Sequence, residues 1–167
     1  VCVAGWRIEP QTPLQRNPIE TVVDVLSNAV KRGVRVCVLL HREISATMQP
    51  RHRSGECAEI LEKVGAEVLR HPRPMARQAF WTHHEKVVVV DQCRAFVGGL
   101  DLCEGRYDDL ERRLRDDTLL GREYYQPCAA DPLNIDRTQV PRLPWHDVAC
   151  SVDGGVALDV FLHFAQR

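Results

Sequence analysis

The first forty residues change their apolar period twice, and that change constrains the fold more than any other feature of the chain. Val1 to Ile8 reads as a strand, closed by a loop containing Pro10, Pro13 and Pro18, residues that a central strand or a helix interior rejects. From Ile19 the apolar positions Val22, Val23, Val25, Leu26, Ala29 and Val30 follow helical spacing, and Gly33 supplies a stop. Val34 to Leu40 (VRVCVLL) returns to strand chemistry with β-branched residues. Strand, helix and strand in this order form a βαβ unit with parallel strands, which predicts an α/β fold.

The rest of the chain extends the pattern. Met48 to Gly55 is a polar loop, Ala58 to Val64 a short amphipathic helix ended by Gly65, and Glu67 to Arg70 a strand. His71 to Gln78 is a basic, proline-broken loop leading into Phe80 to Val90, the most apolar strand pattern present, with Ala95 to Val97 as its neighbour. Asp108 to Asp117 is dense in charge and reads as a solvated surface turn or helix without chemistry. Gln126 to Pro144 is irregular, Trp145 to Val152 is a last strand and Val156 to Gln166 a last helix. Val1 opens inside a strand-like run and Arg167 closes a helix-like run that has no Gly or Asn cap, so a piece of a longer chain is expected.

At 167 residues the chain is long enough for one domain burying roughly 68–70% of its unfolded surface. Lys plus Arg number 22 and Asp plus Glu 23, a net charge of -1, so no overall positive field draws it to nucleic acid or an anionic bilayer. Any phosphate must therefore be bound locally. Seven widely spaced cysteines without a CxxC pair argue against a disulfide framework or a zinc ribbon, and fit a reducing compartment. The apolar run at Val87 to Val90 is far shorter than the ~20 residues of a membrane span.

Only three lysines occur, Lys31, Lys63 and Lys86, and the third adjoins four valines. A charge at that place needs a partner, and a phosphodiester provides one. In a regular strand His84 and Lys86 share a face at about 6.6 Å, whereas His83 and Glu85 take the other. Asp91 falls opposite His84, which makes it a residue of buried hydrogen bonding or of a turn. Gly98 and Gly99 permit a positive φ or a close approach of backbone to an anion, and Asp101 lies just past a strand end, where α/β sheets place site residues.

Together His84, Lys86, Asp91, Gly98, Gly99 and Asp101 spell HxKxxxxDxxxxxxGGxD. This pattern resembles the HKD motif of the phospholipase D superfamily. The segments GWRI, RGVRVCVLL, LRHPR, WTHHEKVVVVDQ, AFVGGLDLCEGRYD, NIDR, PRLPWHD and FLHFAQR are similar to successive landmarks of the amino-terminal catalytic half of eukaryotic-type enzymes. Other branches more often carry GSxN where this chain has GGLD, which favours the phosphatidylcholine-hydrolysing branch. The smaller departures, Arg7 after the tryptophan and Cys93 and Arg94 between strands, touch packing or specificity.

The resemblance implies an α/β/α sandwich with a mixed, largely parallel sheet, residues 1–167 forming a single half-domain with one HKD motif. It implies phosphatidylcholine hydrolysis to phosphatidic acid and choline, with transfer to alcohols as a side activity. His84 would attack phosphorus, Lys86 would hold the non-bridging oxygens, Asp101 would line the phosphate pocket, and Gly98 and Gly99 would bring backbone near. His146 and Asp147 in PWHD match a landmark near the site, in a supporting or structural place; Trp81 and Trp145 read equally well as core. No cofactor and no metal are expected. The partners implied are a phospholipid at a membrane surface, reached from the cytoplasm through regions outside this segment, and a second HKD half, in the same longer chain or in a homodimer. No other HxK occurs here. Nucleic acid is not an expected partner. The competing readings are a nuclease or other phosphodiesterase of the superfamily, a non-catalytic half-domain, and a zinc protein using His83, His84 and His146, against which the divergence of adjacent strand residues argues.

Overall fold

The computed structural model describes residues 1–16, 18–43, 52–72, 82–119, 123–126, 128–129 and 134–167. Its centre is a six-stranded mixed sheet. The strands are β1 (Cys2–Gly5), β4 (Cys37–His41), β5 (Glu67–His71), β6 (Lys86–Val90), β7 (Arg94–Gly98) and β8 (Ala149–Asp153), in the order β5-β4-β1-β6-β7-β8. β1, β4 and β5 run parallel, as the βαβ reading requires, and β6, β7 and β8 alternate antiparallel from there. Between β1 and β4 lie a two-stranded ribbon, β2 (Pro13–Arg16) with β3 (Ile19–Thr21), and then α1 (Val22–Lys31). The prolines expected to make a plain loop thus belong in part to a small hairpin, Pro13 opening β2 and Pro18 lying just before β3. α1 starts three residues later than its apolar pattern suggests, because Thr21 caps it: Asp24 N donates to Thr21 Oγ1 at 3.3 Å, and Thr21 N donates back to Asp24 Oδ2 at 3.0 Å.

Helices cover both faces, giving the expected α/β/α layering. On one face α1 and α2 (Ser54–Lys63) bury Val22, Leu26, Ala29, Cys57 and Leu61 against Val3, Val36, Val38 and Leu40. On the other, α3 (Gly155–Ala165) packs Ala157, Val160, Phe161 and Phe164 against Ala4, Leu39, Val87, Val89 and Ala95. Each fully buried Val or Leu contributes roughly 1.5–3 kcal/mol. Strand alternation decides which layer a residue joins: Val3 faces α1 and α2, and its neighbour Ala4 faces α3.

Two expectations need correction. The strand foreseen over Phe80 to Val90 begins at Lys86; residues 82–85 are described and are not strand, and Phe80 and Trp81 lie outside the described residues. The charged segment Asp108 to Asp117 is not simply a solvated face. Asp108 is paired with Arg142, which is only 2% exposed, and Arg142 also donates through Nε to the Arg113 carbonyl at 2.6 Å and through Nη1 to that of Tyr107 at 3.1 Å. A distant arginine thus turns this stretch into an anchored loop.

Candidate active site

One end of the sheet gathers the chemistry. In register, His71 stands beside His41, Leu40 beside Gly5, Lys86 beside Gly98, and Gly98 beside Ala149. The carboxyl ends of the parallel strands meet the start of β6 here, the usual place for ligands in an α/β sheet. The turns leaving this end carry Trp6, Arg7, His84, Asp101, His146 and Asp147.

His84 and Lys86 come together, though not by strand parity alone. His84 lies before β6 and is exposed, while Lys86 is 7% exposed; the ammonium folds back, donating to the His84 carbonyl at 2.9 Å and lying 3.2 Å from His84 Nδ1. Asp101, 6% exposed, places Oδ2 3.4 Å from the same ammonium and accepts the Arg7 amide on Oδ1 at 2.9 Å. Burial pushes the Lys86 amine below the ordinary lysine range, and Asp101 opposes that shift. The opposing pull matters because only the protonated amine can hold a phosphate.

A ring system braces His84. Trp6 tilts against His84 with centroids 5.3 Å apart, meets His52 at 4.8 Å and stacks with His41 at 6.3 Å. His41 touches His52 and His83 at 5.2 and 5.5 Å, and His83 touches His71 at 5.8 Å. His52 Nε2 lies 3.0 Å from the His41 carbonyl, and Thr82 Oγ1 3.0 Å from His41 Nδ1. Burial pushes His41 down to about 4, with His52 and His83 adding like-charge cost, and burial also lowers His52 and His83. The His41 ring is therefore neutral at physiological pH. Sequence reasoning passed over Trp6, His41, His52 and His71; the available signal was that His41 and His71 each end an apolar strand run.

His83 diverges from His84. It is buried, with Nδ1 3.5 Å from Glu85 Oε1, and Glu85 also pairs with His163 and reaches Arg167 at 3.7 Å. Among the described residues no three His, Cys, Asp or Glu side chains converge as a metal site. Asp91 is exposed at a φ of 52° in the turn joining β6 to β7, away from the site end, so of its two readings the turn is the one observed.

Gly98 and Gly99 do not use the left-handed region. Their missing side chains make room for protein instead: a Cβ on Gly98 would press on Val148 O and Ala149, and one on Gly99 would collide with the Asp147 carboxylate. The approach foreseen for an anion is thus made by a carboxylate of the chain itself. Asp147 is exposed, and its Oδ1 accepts the Val148 amide at 2.7 Å; His146 beside it is exposed as well. Trp145 is partly buried under Arg106, and Trp81 lies outside the described residues.

The family model described as Phospholipase D matches residues 1–167. Among curated relatives, the chain is 37% identical over 183 residues to phospholipase D C of Dictyostelium discoideum. It is 32% identical over 183 residues to phospholipase D zeta 1 of Arabidopsis thaliana, and 36% identical over 198 residues to a phospholipase D of Phytophthora infestans. In each case all of this chain is matched, but it spans only 11%, 17% and 11% of those relatives' lengths.

Proposed function

The chain belongs to the phospholipase D family, and from that premise we propose that it supplies the nucleophilic half of a site hydrolysing phosphatidylcholine to phosphatidic acid and choline. The observation that carries this reading is the Lys86 ammonium lying 3.2 Å from His84 Nδ1 and 3.4 Å from Asp101. A nucleophile, a cation and the carboxylate that keeps the cation charged meet within one hydrogen-bond radius.

In the proposed reaction an imidazole nitrogen of His84 attacks phosphorus, and the bond between phosphorus and the choline oxygen breaks. The electron pair leaves on that oxygen, which takes its proton from a group of a second HKD half. Lys86 exchanges its contacts with His84 for a non-bridging oxygen and stabilises the charge of the five-coordinate transition state. Water then attacks the phosphohistidine, giving a proton to the second-half group that had protonated the choline oxygen; the phosphorus–nitrogen bond breaks, its electron pair returns to His84, and phosphatidic acid leaves. An alcohol in place of water gives transphosphatidylation. A lipid ester is supported by the apolar groove lined by Val88, Phe96, Leu100 and Leu102 that opens beside Lys86 and Asp101. No described helix is long and apolar enough to cross a membrane; in this reading the lipid is met at a bilayer surface.

The test is choline release from phosphatidylcholine vesicles by a chain containing both halves, run beside plasmid nicking. Choline release with an acid-labile phosphohistidine on His84 supports the reading. Nicking without choline release moves the enzyme to the nuclease branch, and neither activity defeats the proposal.

A further inference from the structure

Arg106 lies five residues beyond Asp101, and its setting is unusual for a guanidinium. Its Cζ is 3.7 Å from the centroid of the Trp145 ring and 5.6 Å from that of Tyr125, and the two rings meet edge to face at 6.2 Å. Stacking fixes the plane of the group but supplies no hydrogen-bond acceptor. Among the described residues Nε and Nη1, both shielded from solvent, have no hydrogen-bond partner, and no carboxylate pairs with the guanidinium. Buried, unpaired donors on a cation are rarely left so unless something binds there.

The backbone around Arg106 is held as firmly as its side chain. Glu123 Oε2 accepts the amides of Gly105 at 3.1 Å and Tyr107 at 3.2 Å, clamping the chain on both sides of the arginine. Gly105 has a φ of 80°, and a Cβ there would meet the Tyr125 ring, so loop and ring are fitted to each other. Trp145, the other ring of the stack, immediately precedes His146 and Asp147, and Asp147 closes on Gly99. Two loops leaving the site end of β7 and entering β8 thus exist around one oriented, unpaired cation.

That cation acts on the site. Its charge adds to burial in lowering Lys86, against the pull of Asp101. Asp101 is already engaged by Lys86 and by the Arg7 amide. Asp147 accepts the Val148 amide and Glu123 the amides of Gly105 and Tyr107, so none of these carboxylates is paired with Arg106, and a bound anion would supply the missing partner.

We propose that Arg106 is a second cationic ligand of the phosphate group bound at His84 and Lys86, its guanidinium oriented for non-bridging oxygens by the rings of Trp145 and Tyr125. The inference rests on reading His84 and Lys86 as a phosphoryl-transfer site. It adds a division of labour: Lys86 is a flexible point charge beside the nucleophile, and Arg106 a rigid planar donor that orients the group.

Inorganic phosphate is the probe, titrated calorimetrically into the full chain carrying both halves. Arg106→Gln should weaken phosphate binding at least tenfold with a melting temperature near that of the wild type. Arg106→Met, which keeps the apolar contact with the rings but has no donor, should lose as much. Arg106→Lys, which keeps charge without the stacked plane, should fall between. Wild-type affinity in Arg106→Gln, or its full recovery in Arg106→Met, would reduce the residue to packing and overturn the proposal, as would a wild-type chain that binds no phosphate. If the Gln and Met variants fail to fold, Arg106→Lys decides: affinity equal to the wild type defeats the idea, and a threefold or greater loss supports it. Phosphate binding needs no turnover, so an enzyme that forms no phosphohistidine leaves this measurement intact. Conversely, normal phosphohistidine formation with unaltered phosphate binding in Arg106→Gln defeats this inference alone.

Discussion

Lys86 and Asp101 form a buried ion pair at 3.4 Å, their side chains 7% and 3% exposed. Burial alone would drive Lys86 toward the neutral amine, and Asp101 holds it charged. Asp101→Asn removes that support, so the Lys86 pKa should fall further and the alkaline limb of kcat/KM should move to lower pH. The pH–rate profile of the variant, in a chain with both halves, checks this; an alkaline limb unmoved or moved upward would show that Asp101 does not tune the amine.

His84→Ala should remove both turnover and phosphate labelling in the same chain, because His84 is the imidazole that the Lys86 ammonium reaches. Lys86→Ala should still fold but lose on the order of 10²- to 10³-fold in kcat, the size found when one preorganised donor to a developing charge is deleted. Residues 1–167 alone should release little choline, since a missing general acid is worth on the order of 10²- to 10⁴-fold. Single-turnover labelling separates the steps: a His84→Ala chain that still labels would move the nucleophile elsewhere.

The histidine cluster behind Trp6 predicts an acid limit to stability. His41 is held at about 4, and His52 and His83 also lie below 6.5. A folded pKa below the unfolded one means that the unfolded chain takes up protons first as pH falls. Stability should therefore be full above about pH 6.5 and decline as pH falls from there, the His41 contribution running down toward pH 4 at up to about 1.4 kcal/mol per pH unit. Urea denaturation across this range measures the slope. His41→Phe, which keeps a ring between Trp6 and His83, should flatten it.

How far the site was legible in the sequence depends on which interactions are local. The βαβ opening followed from apolar periods, since a helix and a strand each write their burial pattern into neighbouring residues. His84, Lys86 and Asp101 were nameable because they share one short motif, although the strand parity invoked to join His84 and Lys86 is not what joins them: the lysine bends back on a histidine outside the strand. The pairs Arg142–Asp108 and Arg106–Trp145 span 34 and 39 residues (142 − 108 and 145 − 106) and leave no periodic trace. Their geometry exists only once the loops close. The same holds for Gly99, whose missing side chain is explained by a residue 48 positions away (147 − 99).

Arg142 is 2% exposed and bonded to Asp108 Oδ1 at 2.7 Å and to two carbonyls, so its loss leaves the two carbonyls short of a donor, while Asp108 keeps Arg112 on Oδ2 and the Asp109 amide on Oδ1. Because Arg112 still pairs with Asp108, Arg142→Met should cost about 1–3 kcal/mol, the usual penalty for buried acceptors left without a donor. Removing both charges with Asp108→Asn as well should recover part of it, read as a melting temperature between wild type and single variant. A single variant as stable as wild type would mean that the loop is held by other contacts.

The last expectation concerns Gly99 and Asp147. A methyl group on Gly99 would occupy the space of the Asp147 carboxylate, so Gly99→Ala must displace either that side chain or the turn between β7 and Asp101. Forced overpacking of this kind costs typically 1–3 kcal/mol. Because Asp147 is exposed, removing its carboxylate with Asp147→Ala should itself cost little and should make room for the new methyl. The two substitutions should therefore be coupled by about 1 kcal/mol or more, the double variant being more stable than the sum of the single losses predicts. The turn also carries Asp101 toward Lys86, so Gly99→Ala should lower kcat in a chain with both halves, and Asp147→Ala on top of it should restore part of that rate. Additive losses in a double-mutant cycle of stability would show that the glycine answers to the backbone alone, and that the carboxylate of Asp147 is a neighbour without influence on the site.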